Sequence, residues 1–193
     1  MTDLVSKVAH LNTERLLAGL EEIRRSPADL GTLELIVRRP AVNRREVLDE
    51  AGLDPHEGLA GDTWKGRASS RTRDRSPHPD TQITIMNARA IALVAQDRAR
   101  WPLAGDQLYI DLDLGAANLP PGTRLALGTA LLEVTKQPHT GCGKFVERFG
   151  VDAMKFVNSP VGRELNLRGI YARVVEAGVI RAGDVASRQP SRP

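Results

Sequence analysis

The sequence predicts a mainly β protein with helices (α+β): a β-barrel carrying peripheral helices and an amphipathic helix at its N-terminus. Three observations carry that prediction. Short apolar runs recur along the chain with Gly- and Pro-marked turns between them, the pattern of a closed or sandwiched antiparallel sheet. Helical periodicity is confined to a few stretches. Aromatic residues make up only 4% of the chain, so the core is expected to be Leu, Val, Ile and Ala. No repeat, low-complexity tract or linker divides the 193 residues. The expected organisation is a helical extension over 1–29, a barrel domain over 30–186 and a frayed tail over 187–193.

The elements follow in order. Leu4, Val8, Leu11, Leu16, Leu20 and Ile23 recur at roughly helical spacing, predicting one amphipathic helix over 3–25, or two short ones, ended by Ser26-Pro27. It reads as a packing or dimerisation helix, and a homodimer is one possible consequence. Leu33, Leu35 and Val37 alternate with polar residues as a strand that stops at Pro40. Residues 44–51 stay open between helix, by composition, and strand, by setting. Residues 54–80 read as one long irregular stretch punctuated by Gly58, Gly61, Gly66, Pro77 and Pro79.

Gln82–Met86 is a short apolar strand, and Asn87 caps a helix running through Ala90, Ile91 and Val94 to about Asp97. Leu108, Ile110, Leu112 and Leu114 form a further strand, followed by two more at about 123–127 and 130–135, split by Gly128. Phe145, Val146, Phe149, Met154, Phe156 and Val157 predict two short helices broken at Gly150. Gly169–Glu176 is a strand, and Ala177-Gly178 turns the chain toward Val179 and Ile180.

Composition narrows the function classes. A net charge of +3 is too modest to indicate nucleic acid by itself. The single Cys forms no internal disulfide, in keeping with a reducing compartment. No signal-like or membrane-spanning stretch is visible, so a cytoplasmic protein without membrane partners is expected. The histidines His10, His56, His78 and His139 have no metal-ligand spacing, and no GxSxG elbow occurs.

Two stretches stand out chemically. Gln137-Pro138-His139-Thr140-Gly141-Cys142-Gly143-Lys144-Phe145 places the only thiol where a helix-like pattern begins, beside a His and a Lys. A thiol among cations at a helix start favours the thiolate, which attacks electrophiles and binds soft metals. Cys142, His139 and Lys144 are therefore the candidate catalytic residues, with a buried inert cysteine as the alternative. Gly58-Leu59-Ala60-Gly61-Asp62-Thr63-Trp64-Lys65-Gly66-Arg67, with Arg71, Arg73 and Arg75 beyond, combines open backbone with guanidiniums suited to an oxyanion. It matches neither the Walker nor the dinucleotide pattern, and a solvated basic loop is the alternative. Nucleic-acid binding through these arginines is not expected, because stacking aromatics are absent from the loop.

Taken in order, the Gly58–Arg67 motif, the strand at Gln82–Met86 with Asn87, Asn118-Leu119, Leu127-Gly128 and the cysteine turn resemble the MOSC domain, the molybdenum cofactor sulfurase C-terminal domain, over about residues 30–186. Two positions depart from the family pattern: Trp64 stands where a His is common, and Ala117 where Glu or Arg usually precedes the Asn. The resemblance implies a barrel that binds the pterin-based molybdenum cofactor, with Cys142 ligating the molybdenum or carrying sulfur as a persulfide. It points to Arg67, Arg71, Arg73, Asn118, Thr140, Asn166 and Arg168 as cofactor-binding residues. A stand-alone MOSC protein is expected, acting in sulfur transfer or in reduction of N-hydroxylated compounds, with a non-catalytic small-anion binding module as the competing reading. Pyridoxal phosphate is not expected in this chain, so a sulfur-donor desulfurase or an electron-transfer protein would act as partner in trans.

Overall fold

The structure is a computed structural model, and it describes residues 9–69 and 72–189. Leu4, Val8 and Arg71 lie outside the described residues. Two short helices, α1 (Thr13–Ala18) and α2 (Leu20–Arg24), meet at Gly19, so the N-terminal pattern resolves into the shorter pair. Asn12 caps α1 by accepting a hydrogen bond from the Arg15 amide.

The strands follow as β1 (Leu30–Arg38), β2 (Glu46–Leu48), β3 (Glu50–Asp54), β4 (Gly58–Leu59), β5 (Ile83–Asn87), β6 (Leu108–Asp111), β7 (Arg124–Leu127), β8 (Ala130–Val134), β9 (Ile170–Glu176), β10 (Gly178–Arg181) and β11 (Val185–Gln189). The remaining helices are α3 (Ala88–Ala95), α4 (Gly143–Asn158) and α5 (Pro160–Glu164). The 44–51 segment thus holds β2 and the start of β3 and no helix, and the 54–80 stretch contains β4 and a 3-10 turn at Thr63–Gly66.

Seven strands close into a barrel in the order β11-β7-β8-β9-β5-β6-β1, with β11 pairing back onto β1 and β2 appended to β1. Neighbours are antiparallel except β5 and β6, which run parallel and are joined through α3. That crossover is what a parallel pair requires. A separate three-stranded sheet has the order β10-β3-β4. The closing strand corrects the expected tail: Ser187 pairs with both Leu30 and Ala126, so residues 187–189 seal the barrel and do not fray.

Two apolar cores result. Leu33, Ile36, Ile83, Ile85, Leu125, Leu132 and Ala172 fill the barrel, while Leu35, Val37, Met86 and Tyr109 face outward under α1, α3 and α4. Strands β1, β5 and β6 are therefore covered on both faces, which is why Ile83–Asn87 is buried at every position. A bulge between Leu33 and Leu35 on β1 changes which side chains face inward. Leu33 enters the barrel while Leu35 and Val37 turn to the helices, so the three do not share the single face their spacing predicts.

Local signals behave as their chemistry dictates. Asn87 Oδ1 accepts from the Ala90 amide, and its Nδ2 donates to Ser26 Oγ and the Leu112 carbonyl, each at 2.8 Å. Helix α4 is broken at Gly150, whose φ of 89° interrupts the helical path as the sequence predicts. The barrel's fit depends on a second glycine. At Gly169, with φ of 106°, a Cβ would stand 2.3 Å from the Ile85 carbonyl oxygen, so no side chain fits beside β5.

Candidate functional site

A cavity of about 660 Å³ opens where several elements end together. Arg39 enters directly after β1, Trp64 and Arg67 from the 3-10 turn, and Ala104 and Gly105 from the approach to β6. His139 follows β8, Cys142, Lys144, Phe145 and Arg148 come from the start of α4, and Arg168 and Tyr171 from the start of β9.

The wall is strongly basic. Arg39, Arg45, Arg67, Lys144, Arg148 and Arg168 line it, and among the described residues that do so none is Asp or Glu. Lys144 and Arg148 stand four residues apart in α4, on one helix face. Two of the arginines are fixed from behind by carboxylates. Arg39 Nε and Nη2 each donate to Asp62 at 2.8 Å, its Nη1 donates to the Gly105 carbonyl, and Asp62 also accepts from the amides of Arg39 and Trp64. The glycine-rich motif thus serves the cavity directly through Trp64 and Arg67, and from behind through Asp62, which caps the 3-10 turn and holds Arg39. Arg168 Nη1 donates to Asp106 Oδ2 at 2.6 Å and Nη2 to the Ala104 carbonyl, while its guanidinium lies over the Phe145 ring.

The other three arginines have carbonyl or hydroxyl partners. Arg45 donates to the Pro102 and Arg44 carbonyls, Arg148 to the Leu103 carbonyl, and Arg67 to Thr63 Oγ1. Burial, reinforced by Arg148 and Arg39, holds the Arg45 guanidinium below its ordinary value. Burial and Arg39 do the same for Arg67. Both remain cations, so the cavity holds positive charge that its own wall does not neutralise.

Cys142 is a free, exposed thiol that lines this cavity at the N-cap position of α4. Its side chain makes no capping bond; its carbonyl accepts from the Phe145 and Val146 amides. His139 is buried against Tyr171, with ring centroids 4.4 Å apart. Burial, then Arg168 and Arg39, pushes its imidazole well below its ordinary value, so the ring is neutral. Three of the lining side chains keep a buried nitrogen without a hydrogen-bond partner: Trp64 Nε1, His139 Nδ1 and Arg168 Nε.

The structure therefore brings together Cys142, His139, Lys144, Arg67 and Arg168. It does not bring Arg73, Asn118, Thr140 or Asn166 to the wall. Asn118 lines a different hollow with Asp29 and Arg188, and its Nδ2 is committed to the Ala28 and Asp113 carbonyls. Asn166 takes a left-handed φ of 47° in a turn and donates to the Leu114 carbonyl. Both brace loops because a short amide satisfies carbonyls that a tight turn leaves unpaired. Arg73 and Thr140 are exposed and do not line the cavity. Arg39, Arg45 and Arg148 escape the sequence reading. The available signals were an Arg at the end of an apolar strand before Pro40, and the Lys144/Arg148 spacing on one helix.

Among the described residues no helix is long and apolar enough to cross a membrane, and no group of three or more His, Cys, Asp or Glu could hold a metal ion by itself. No curated protein matches the chain. The fold is similar to that of the YuaD protein from Bacillus subtilis, with a TM-score of 0.60 at 19% identity over 83% of this chain and 97% of that one. It is also similar to YiiM from Escherichia coli, with a TM-score of 0.54 at 18% identity over 83% of this chain and 71% of that one. YiiM from Geobacillus stearothermophilus gives 0.54 at 15% identity, over 83% and 75%. Residues 72–187, more than half of the chain and the part that carries the thiol, match the MOSC domain family, and the chain belongs to that family.

Proposed function

We propose that the chain binds a molybdenum cofactor, or a related sulfur-bearing metal species, in this cavity, with Cys142 as its soft ligand or sulfur carrier. One observation carries the reading: six cations and the chain's single thiol share one wall that has no carboxylate among its described residues. A volume of about 660 Å³ suits a small-molecule cofactor.

The residues fit the chemical parts of such a group. Arg45, Arg67 and Arg148 would hold its phosphate, since guanidiniums pair with phosphate in a bidentate fashion. The unmatched nitrogens of Trp64 and Arg168 are suited to the polar edges of a buried heterocycle, for which they are already desolvated. Cys142 would give the metal a sulfur donor. When bound, the cofactor would supply redox or sulfur-transfer chemistry at its molybdenum.

The protein's own part is to bind, orient and screen. Phe145 and Tyr171 shield one side of the cavity, Lys144 sets a cation next to the thiol, and neutral His139 can accept a hydrogen bond at a ring nitrogen. The exposure of Cys142 favours exchange with a partner protein, a sulfur-donor desulfurase or an electron-transfer protein, that reaches the thiol from outside.

Co-expression with cofactor biosynthesis, followed by metal analysis of wild type and Cys142→Ser, tests this reading. Stoichiometric molybdenum in wild type and its loss from the variant are expected. Equal retention by both would remove the cysteine from the metal and leave an anion-binding module. No molybdenum in either would remove the cofactor.

A further inference from the structure

We propose that Asp106 is the positioning residue of this cavity: its Oδ2 anchors Arg168, and its Oδ1 fixes His139 in the tautomer that turns a proton-accepting Nε2 toward the ligand. The inference rests on the cavity being the ligand site argued above.

The geometry is specific. Asp106 is fully buried, and the Arg168 and His139 side chains are each only 8% exposed. Oδ2 is bound by Arg168 Nη1 at 2.6 Å. Oδ1 has no hydrogen-bond partner, and neither has His139 Nδ1, yet the two stand 3.6 Å apart. One unmatched acceptor thus faces one unmatched ring nitrogen in a place closed to water. Tyr171 stacks on the imidazole and limits its rotation.

The consequence follows from donor and acceptor roles alone. Burial raises the Asp106 carboxyl, and Arg168, with Arg39 and Arg45 nearby, acts against that; the 2.6 Å bond from the Arg168 guanidinium marks Asp106 as its carboxylate partner. An ionised carboxylate only accepts, so the nitrogen that faces it carries the ring's single proton. Nε2 then keeps its lone pair. In a wall of cations and N–H donors, this adds an acceptor for a ligand O–H or N–H. The site is therefore built for an anion that retains a proton, and it disfavours an anion of the same shape without one.

The direct test uses full-length protein with ¹⁵N-labelled histidine and long-range proton–nitrogen correlation spectra at pH 7, with His139 assigned through His139→Gln. Wild type is expected to show a protonated Nδ1 and a bare Nε2. In Asp106→Asn the amide oxygen goes to Arg168, its NH₂ faces His139, and the tautomer reverses. A wild-type Nε2–H tautomer, an imidazolium, or an unchanged spectrum in Asp106→Asn overturns the proposal. If the variant does not fold, the wild-type spectrum decides alone.

A calorimetric arm uses inorganic phosphate, which keeps a proton at pH 7, and sulfate, which does not. Wild type is expected to prefer phosphate by roughly tenfold or more, and Asp106→Asn to lose that preference. Equal affinities in wild type overturn the proposal. Binding of neither anion overturns the reading of the cavity as an anion site, and the spectra still decide the role of Asp106.

Discussion

Two buried guanidinium–carboxylate pairs stand behind the same cavity, and they are built differently. Asp62 has both oxygens engaged, by the Arg39 fork and by two backbone amides, and all three Arg39 guanidinium nitrogens donate, Nη1 to the Gly105 carbonyl. Asp106 makes a single side-chain bond, to Arg168, and leaves Oδ1 and Arg168 Nε unmatched beside His139. A buried polar atom without a partner is costly, so folding alone gives no reason to leave three of them together. The complete pair is scaffold. The incomplete pair retains bonding capacity, and it lies where the thiol and the free positive charge also lie.

The comparison can be broken by removing each acid in turn. Asp62→Ala strands a buried Arg39 and uncaps the 3-10 turn, and is expected to cost about 3–5 kcal/mol in denaturant unfolding. Asp106→Ala removes fewer bonds and should cost less, roughly 2–3 kcal/mol, because part of that pair is unsatisfied already. Equal costs would erase the distinction between scaffold and site.

Acid unfolding sharpens it next. His139 is held well below its ordinary value in the fold, so an unfolded chain takes up a proton there that the folded chain refuses. Stability is expected to fall as pH drops below about 6.5, by up to about 1.4 kcal/mol per pH unit, until the folded imidazole itself is protonated. Asp106 acts in the opposite sense: burial raises its carboxyl, so its ionised form is disfavoured in the fold and that cost lifts as pH falls. His139→Phe keeps the ring on Tyr171 and should flatten only the histidine component. A profile identical to wild type would contradict a buried neutral imidazole.

The smallest expected effect is at the thiol. Cys142 is exposed and its side chain caps nothing, so Cys142→Ser should change stability by less than about 0.5 kcal/mol. A larger loss would mean that the thiol supports the fold, and the contrast between scaffold and site would blur.

What the sequence made legible was local. The Asn87 cap, the Gly150 break and the placing of Cys142 at a helix start each depend on a few adjacent residues, and all three hold in the structure. The bulge on β1 was hidden because nothing in Leu33-Glu34-Leu35 marks it, and it separates side chains that spacing alone puts together. Arg39, Arg45 and Arg148 were hidden for the opposite reason: only the folded chain brings these distant positions to one wall. Asn118 and Asn166 looked like ligand contacts because the amides that brace turns are the same groups that could hold a pterin edge. Sequence chemistry identified the thiol and half of the cations around it; topology supplied the other half.

Because Cys142 is the only thiol, its alkylation reports on the site without interference. The measurement that bears most directly on the central claim is the iodoacetamide labelling rate of Cys142 before and after loading with molybdenum cofactor. Strong protection in the loaded protein is the predicted result. Equal rates in loaded and unloaded protein would place the ligand away from the sulfur and contradict the account.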